Sequence, residues 1–257
     1  QLVSREDPDI AGAVLEVLEQ DGIEVELNAE PVGIARAGGA IEVQVQRKGG
    51  DTYTIQGTHI LAAAGRVPNT DSLDAGKTGL ELDKRGYIRT NDRLETDVPG
   101  IYAIGDIRPG PKFTHISYDD YRVLKTNLID GGDRSIADRL VSSVTYIDPQ
   151  LAQIGLTERQ ARDQGVPYKL ATMPMSSVAR ALETGETRGV MKALVDPESG
   201  KILGAAVLGI EGGEIMSMMH IAMIAGLPYT ALRDGAFAHP TLAESLNNLF
   251  AVVKDPD

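Results

Sequence analysis

The chain is 257 residues long and 42% hydrophobic, with a formal net charge of −12 and no cysteine. That length and apolar share suit a globular protein of more than one domain, and an interspersed acidic excess leaves no basic footprint for nucleic acid. Lack of cysteine excludes a disulfide framework, a thiolate metal site and a thiol nucleophile here, and with no apolar run of spanning length or basic-then-apolar leader the expectation is a cytoplasmic chain without membrane contact.

In chain order, "QLV" reads as the tail of an apolar strand. Ser4 or Asp7 then caps a helix that Pro8 opens, with Ile10, Val14, Leu15 and Leu18 at helical spacing and Gly22 as its stop. Strands are expected at 23–27, 32–35, 41–46 and 53–55, followed by a buried run, "HILAAAG", ending at Gly65. Strand, helix, strand, meander and returning strand resemble the second half of a dinucleotide-binding βαβ unit, although no G-x-G-x-x-G occurs.

Residues 66–134 read as loops leading into a helix through "SYDDYRVLKTNLI". Beyond Leu140, strands at 144–147 and 168–175 flank a helix at 157–164. "GVMKALVD" and "ILGAAVLG" form a hairpin about the turn "DPESG", and helices follow at 211–225 and 240–250. Strands interleaved with edge helices make this an α+β domain.

"GIYAIGD" reads as a buried strand ending in Gly105 and Asp106. A carboxylate there either completes a turn or accepts hydrogen bonds from polyol hydroxyls, while the following helix start offers backbone N–H groups. "AAAGRVPN" is similarly open: Gly65 and its small neighbours allow a tight crossover or the close approach of a planar cofactor. In "FAHPTLAE", Pro240 opens a helix with His239 at its N-cap and Glu244 in the second turn. The pair is either a capping arrangement or an imidazole whose tautomer a carboxylate fixes for acid-base work. His59 and His220 read as packing residues, since no further ligands stand at metal spacing, while Met216, Met218, Met219 and Met223 suggest either copper affinity or, in preference, a soft gap-filling core or a dimer face. His115 follows the Asp106 turn and lines it.

The order "AAAGRVPNT", "DVPGIYAIGD", "HPTLAESL" resembles the class I pyridine nucleotide-disulfide oxidoreductases over essentially the whole chain. "FTHISYDDYRVL", "RGVMKALVD" and "AGLPYTALRDGAFAHPTLAESLNNLF" look most like the branch linked to reactive-chlorine resistance and copper(II) reduction, beside the mercuric reductases. The resemblance implies a partial FAD/NAD(P)-binding, Rossmann-like α/β domain followed by an α+β dimerisation domain. Its segments would be the end of the NAD(P) domain at 1–66, a return to the FAD domain at 67–138 and the interface domain at 139–257.

It further implies electrons passing from NAD(P)H to FAD, to a cysteine pair, and to a small disulfide or metal-ion substrate. Asp106 would bind the ribityl chain, with Gly65, Arg66, Gly105 and His115 around the cofactor. His239, oriented by Glu244, would be the acid-base residue reaching the disulfide of the other subunit of a homodimer. The FAD turn, the cysteine pair and the NAD(P) turn are then expected upstream of residue 1, together with the features that select NADH or NADPH and the final acceptor. The alternative expectation is that this chain alone is a cofactor-free, catalytically inert dimerisation module.

Overall fold

The computed structural model describes residues 1–256. Extended backbone at Asp7 (φ −66°, ψ 152°) delivers the chain to Pro8, and α1 runs Pro8–Gln20 with Ile10, Ala11, Val14 and Val17 on its buried face. Gly22, at φ +80°, ends it by donating its N–H to Glu19 O. Neither Ser4 nor Asp7 caps this helix through its side chain. An antiparallel meander follows, β1 (Ala29–Ala37), β2 (Ala40–Arg47) and β3 (Thr52–Gly57), with a register shift between Pro31 and Gly33.

The strands expected at 1–3, 23–27 and 59–65 do not form. A strand is completed by its neighbour's N–H and C=O groups, and among the described residues no strand pairs with these segments. The expected burial of "HILAAAG" fails with it, since Leu61 is 89% exposed.

Residues 62–141 form a compact unit with little regular structure: a one-turn helix α2 (Ala75–Thr78) and the longer α3 (Thr114–Leu128). Local turns organise the rest. The Asp83 carboxylate accepts the N–H groups of Arg85 and Tyr87, and single bridges join Leu82 to Ile88 and Glu95 to Tyr102. "GIYAIGD" is therefore one bridge rather than a strand, because only Tyr102 finds a ladder partner, and Ile104 remains 38% exposed.

The remaining elements are β4 (Ser142–Thr145), β5 (Gln150–Gly155), α4 (Glu158–Asp163), β6 (Lys169–Pro174), α5 (Ala179–Thr184), β7 (Val190–Val195), β8 (Ile202–Gly209), α6 (Gly212–Ile224), α7 (Tyr229–Arg233) and α8 (Ser245–Ala251). The strands build an antiparallel sheet in the order β4-β5-β8-β7-β6. The β7–β8 hairpin forms where expected, and the Asp196 carboxylate closes its turn by accepting from the Glu198 and Ser199 amides and the Ser199 hydroxyl. Gly204 is required there, since a Cβ would lie 2.0 Å from Leu156 O. Unexpected were β5, α5 and α7, each no longer than 6 residues and too short for a clear period.

α6 packs on β5 and β8, and α1 packs on the same sheet through Ile10, Val14, Val17, Leu151, Ala206 and Leu208. Residues 1–61 and those from Ser142 onward thus make one compact unit. Charge reinforces the join. The Asp7 carboxylate accepts the N–H groups of Glu158 and Arg159 at 2.9 Å each, capping α4 from across the sequence. Lys192, buried on β7, lies 3.1 Å from Asp7, 2.9 Å from Asp9 and 2.7 Å from Glu158. Burial disfavours the charges of Asp7 and Lys192, but those contacts outweigh it, holding the Asp7 carboxyl below its usual range and the Lys192 ammonium above its own.

Candidate functional site

Within residues 62–141 a cavity of about 580 Å³ opens between the Arg66–Asn69 segment and the turn after Ile104. It is lined by Arg66, Val67, Pro68, Asn69, Tyr87, Ile104, Asp106, Ile107 and Lys112. Gly105–Ile107 forms a single 3-10 turn, with Gly105 at φ +69°. A Cβ on Gly105 would meet Ser117 Oγ at 2.9 Å, so the first turn of α3 lies directly behind it. This tight turn carries Asp106 to the cavity, where Oδ2 accepts from Arg66 Nη1 at 3.0 Å. Lys112 Nζ sits 3.9 Å over the Tyr87 ring and 3.4 Å from Asp106 O.

Of the residues read as cofactor-facing, Arg66 and Asp106 line this cavity and Gly105 shapes its turn. Gly65, at φ +106°, and His115, stacked on Phe113 with centroids 5.3 Å apart, are not among the lining residues. Lys112 and Tyr87 went unnoticed in the sequence, where neither belongs to a recognisable motif.

A second group forms near the end of the chain. Glu244 accepts from His239 Nδ1 at 2.8 Å through Oε2 and 3.1 Å through Oε1, a carboxylate having no proton to give. The pair meets as expected, but not on one helix. The helix anticipated from Pro240 starts at Ser245, and the preceding residues turn instead, following a cis His239–Pro240 peptide. The Thr241 hydroxyl competes for the helical bonds there, donating to Ala238 O and accepting from the Glu244 N–H. Glu244 therefore occupies the N-cap of α8. Asn247, unmarked in the sequence, fastens the incoming loop by donating to the carbonyls of Leu232, Arg233 and Gly235. With Nδ1 engaged by Glu244, Nε2 is the ring nitrogen open to a further partner, on a side chain 66% exposed.

Among the described residues no group of three or more histidine, cysteine, aspartate or glutamate side chains could hold a metal ion, and no helix is long and apolar enough to cross a membrane.

Two family models cover most of the chain: pyridine nucleotide-disulphide oxidoreductase over residues 1–120, and the dimerisation domain of the same family over residues 141–250. Pyridine nucleotide-disulfide oxidoreductase RclA of Escherichia coli is 38% identical over 251 residues, covering 97% of this chain and 56% of that protein. Mercuric reductase of Staphylococcus aureus is 31% identical over 98% of this chain and 46% of its own length. The solved structure of the HOCl-induced flavoprotein disulfide reductase RclA from E. coli superposes with a TM-score of 0.92 at 36% identity, covering 99% of this chain and 57% of that one. The chain thus spans about half the length of these relatives. With its partial Rossmann-like region, its antiparallel interface sheet and these matches, the chain belongs to the class I pyridine nucleotide-disulfide oxidoreductases.

Proposed function

We propose that this chain is the flavin-facing and dimer-forming part of an FAD-dependent NAD(P)H oxidoreductase whose final substrate is a small disulfide or a metal ion. The segments 1–66, 67–138 and 139–257 would be the end of the NAD(P) domain, the return to the FAD domain and the interface domain. The unit boundaries at Leu61/Ala62 and Val141/Ser142 lie close to those limits, with the first and last segments packed together as one unit. A bound flavin supplies the relay between NAD(P)H and a cysteine pair.

The cavity suits such a group. Its volume falls within the ligand-site range, Asp106 offers acceptor oxygens to ribityl hydroxyls, and Arg66 and Lys112 offer donors to phosphate or ring oxygens. Val67, Pro68, Ile104 and Ile107 provide apolar wall for a flat ring. At the other site, His239 would exchange a proton at Nε2 with the thiolate of a partner subunit in a cytoplasmic homodimer, while Glu244 holds the tautomer at Nδ1.

The observation that carries the reading is the 2.8 Å His239–Glu244 contact on an otherwise accessible imidazole. In the full-length enzyme, His239→Ala should lower disulfide-dependent turnover by ~100-fold or more. Flavin absorbance should stay unchanged, and undiminished turnover would remove the assigned role. One observation favours a second reading for the chain alone. Arg66 and Val67 are 70% and 81% exposed, so the cavity has an open wall, consistent with a colourless dimerisation module that does not retain flavin.

A further inference from the structure

Behind the Gly105–Ile107 turn lies a buried charge that the flavin reading leaves unused. Asp120, midway along α3, is 0% exposed. Its Oδ2 accepts from the Gly105 N–H at 2.9 Å and from Arg108 Nε at 3.0 Å, and its Oδ1 accepts from Arg108 Nη2 at 3.2 Å. Arg139 adds charge without direction. Its Nη2 is 2.7 Å from Asp120 Oδ1 and its Nε 2.9 Å from Asp119 Oδ2, with no N–H on a hydrogen-bonding line.

A buried ion pair needs only its counter-ions to be neutral, and Arg108 and Arg139 already supply more than one positive charge. Yet one Asp120 oxygen also reaches the backbone amide of the residue beside Asp106. From the other end of the same pair, Arg108 donates Nη1 to Pro109 O at 2.9 Å, tying the outgoing loop. Both ends of the turn therefore close on Asp120. Among the described residues the Asp106 carboxylate has only the solvent-exposed contact to Arg66, which by itself holds a side chain weakly.

We propose that Asp120 is a positioning residue for flavin binding: by clamping the Gly105 amide it holds the Asp106 carboxylate toward the ribityl chain. The inference rests on the flavin reading of this cavity. A polyol held by one carboxylate needs that carboxylate fixed in advance, and the buried forked contact of Arg108 with Asp120 provides the fixed point.

The test uses the apo form of the full-length flavoenzyme containing this chain, titrated with FAD, riboflavin and lumiflavin; lumiflavin carries the ring system without the ribityl chain. Asp120→Asn keeps the side-chain shape and removes the charge that gathers the arginines. Its dissociation constants for FAD and riboflavin should rise about tenfold or more, while that for lumiflavin moves by less than about twofold. Asp106→Ala should show the same ribityl-selective loss, and the double variant should be no weaker than the worse single one, as expected for residues acting through one contact. If Asp106→Ala is selective and Asp120→Asn weakens all three ligands alike, or none, the positioning role is overturned and the flavin reading stands. If Asp106→Ala itself shows no ribityl-selective loss, the flavin reading fails. Should Asp120→Asn not fold, Arg108→Lys keeps the charge and loses the fork, and the same selective loss is expected of it. Its absence there overturns the proposal.

Discussion

Glu6 is almost fully buried just before α1, and its Oε2 has no hydrogen-bond partner. Burial first, and then the adjacent Asp7 charge, push its carboxyl up from an ordinary 4.5 to about 7. Below pH 4.5 the group is protonated whether the chain is folded or not. Between 4.5 and about 7 the unfolded chain loses this proton first, so rising pH favours unfolding. At ~1.36 kcal/mol per pH unit, the stability Glu6 contributes at low pH should fall by about 3 kcal/mol across that window. Glu6→Gln should flatten this slope and raise the melting temperature at pH 8; an unaltered slope in thermal melts across pH would contradict the account. His239 and Glu244 could be paired from sequence alone, because they are close along the chain. Asp120 could not, since nothing in "SYDDYRVL" says which of two adjacent aspartates turns inward.

At the scale of elements, the same distinction between local and distant partners decides what was legible. The β7–β8 hairpin was readable because its turn chemistry lies within "DPESG". Apolar composition at 23–27 and 59–65 predicts strands, but a strand needs a neighbour to pair with, and among the described residues none pairs with these segments. Lys192 lies between these cases. "VMKALV" shows a strand, yet only the fold reveals that its lysine is enclosed by Asp7, Asp9 and Glu158 from the N-terminal region and α4. Replacing it with an uncharged side chain leaves Asp7 and Asp9 facing Glu158 without their shared cation, and Glu158 with Arg162 alone. Lys192→Met should therefore destabilise the unit by about 3–5 kcal/mol. The denaturant midpoint reads this directly, and a loss within error would show that the cluster is solvent-screened. Asp7 illustrates how a cap can be recognised and misassigned: the residue type was right, but the helix it serves is α4.

For the molecule as a whole, α6 is apolar on more than its packed face. Ile215, Met216, Met219 and Ala222 are buried, whereas Ile221 and Ile224 are 68% and 73% exposed. Beyond the exposed Glu214 and Ser217, these two large apolar side chains stand together at the C-terminal end of the outer face, as on a surface that a partner covers. We therefore place these isoleucines at the proposed homodimer contact. Replacing both with aspartate should convert a dimer to a monomer in sedimentation equilibrium, and an unchanged mass would move the interface elsewhere. The division into compact units has another consequence. Because α1 seals against the sheet built by residues 142–209, covalent continuity through residues 62–141 is not what keeps these parts together. A single protease cut within that excursion should leave the flanking pieces travelling as one particle through a sizing column, separable only by denaturant.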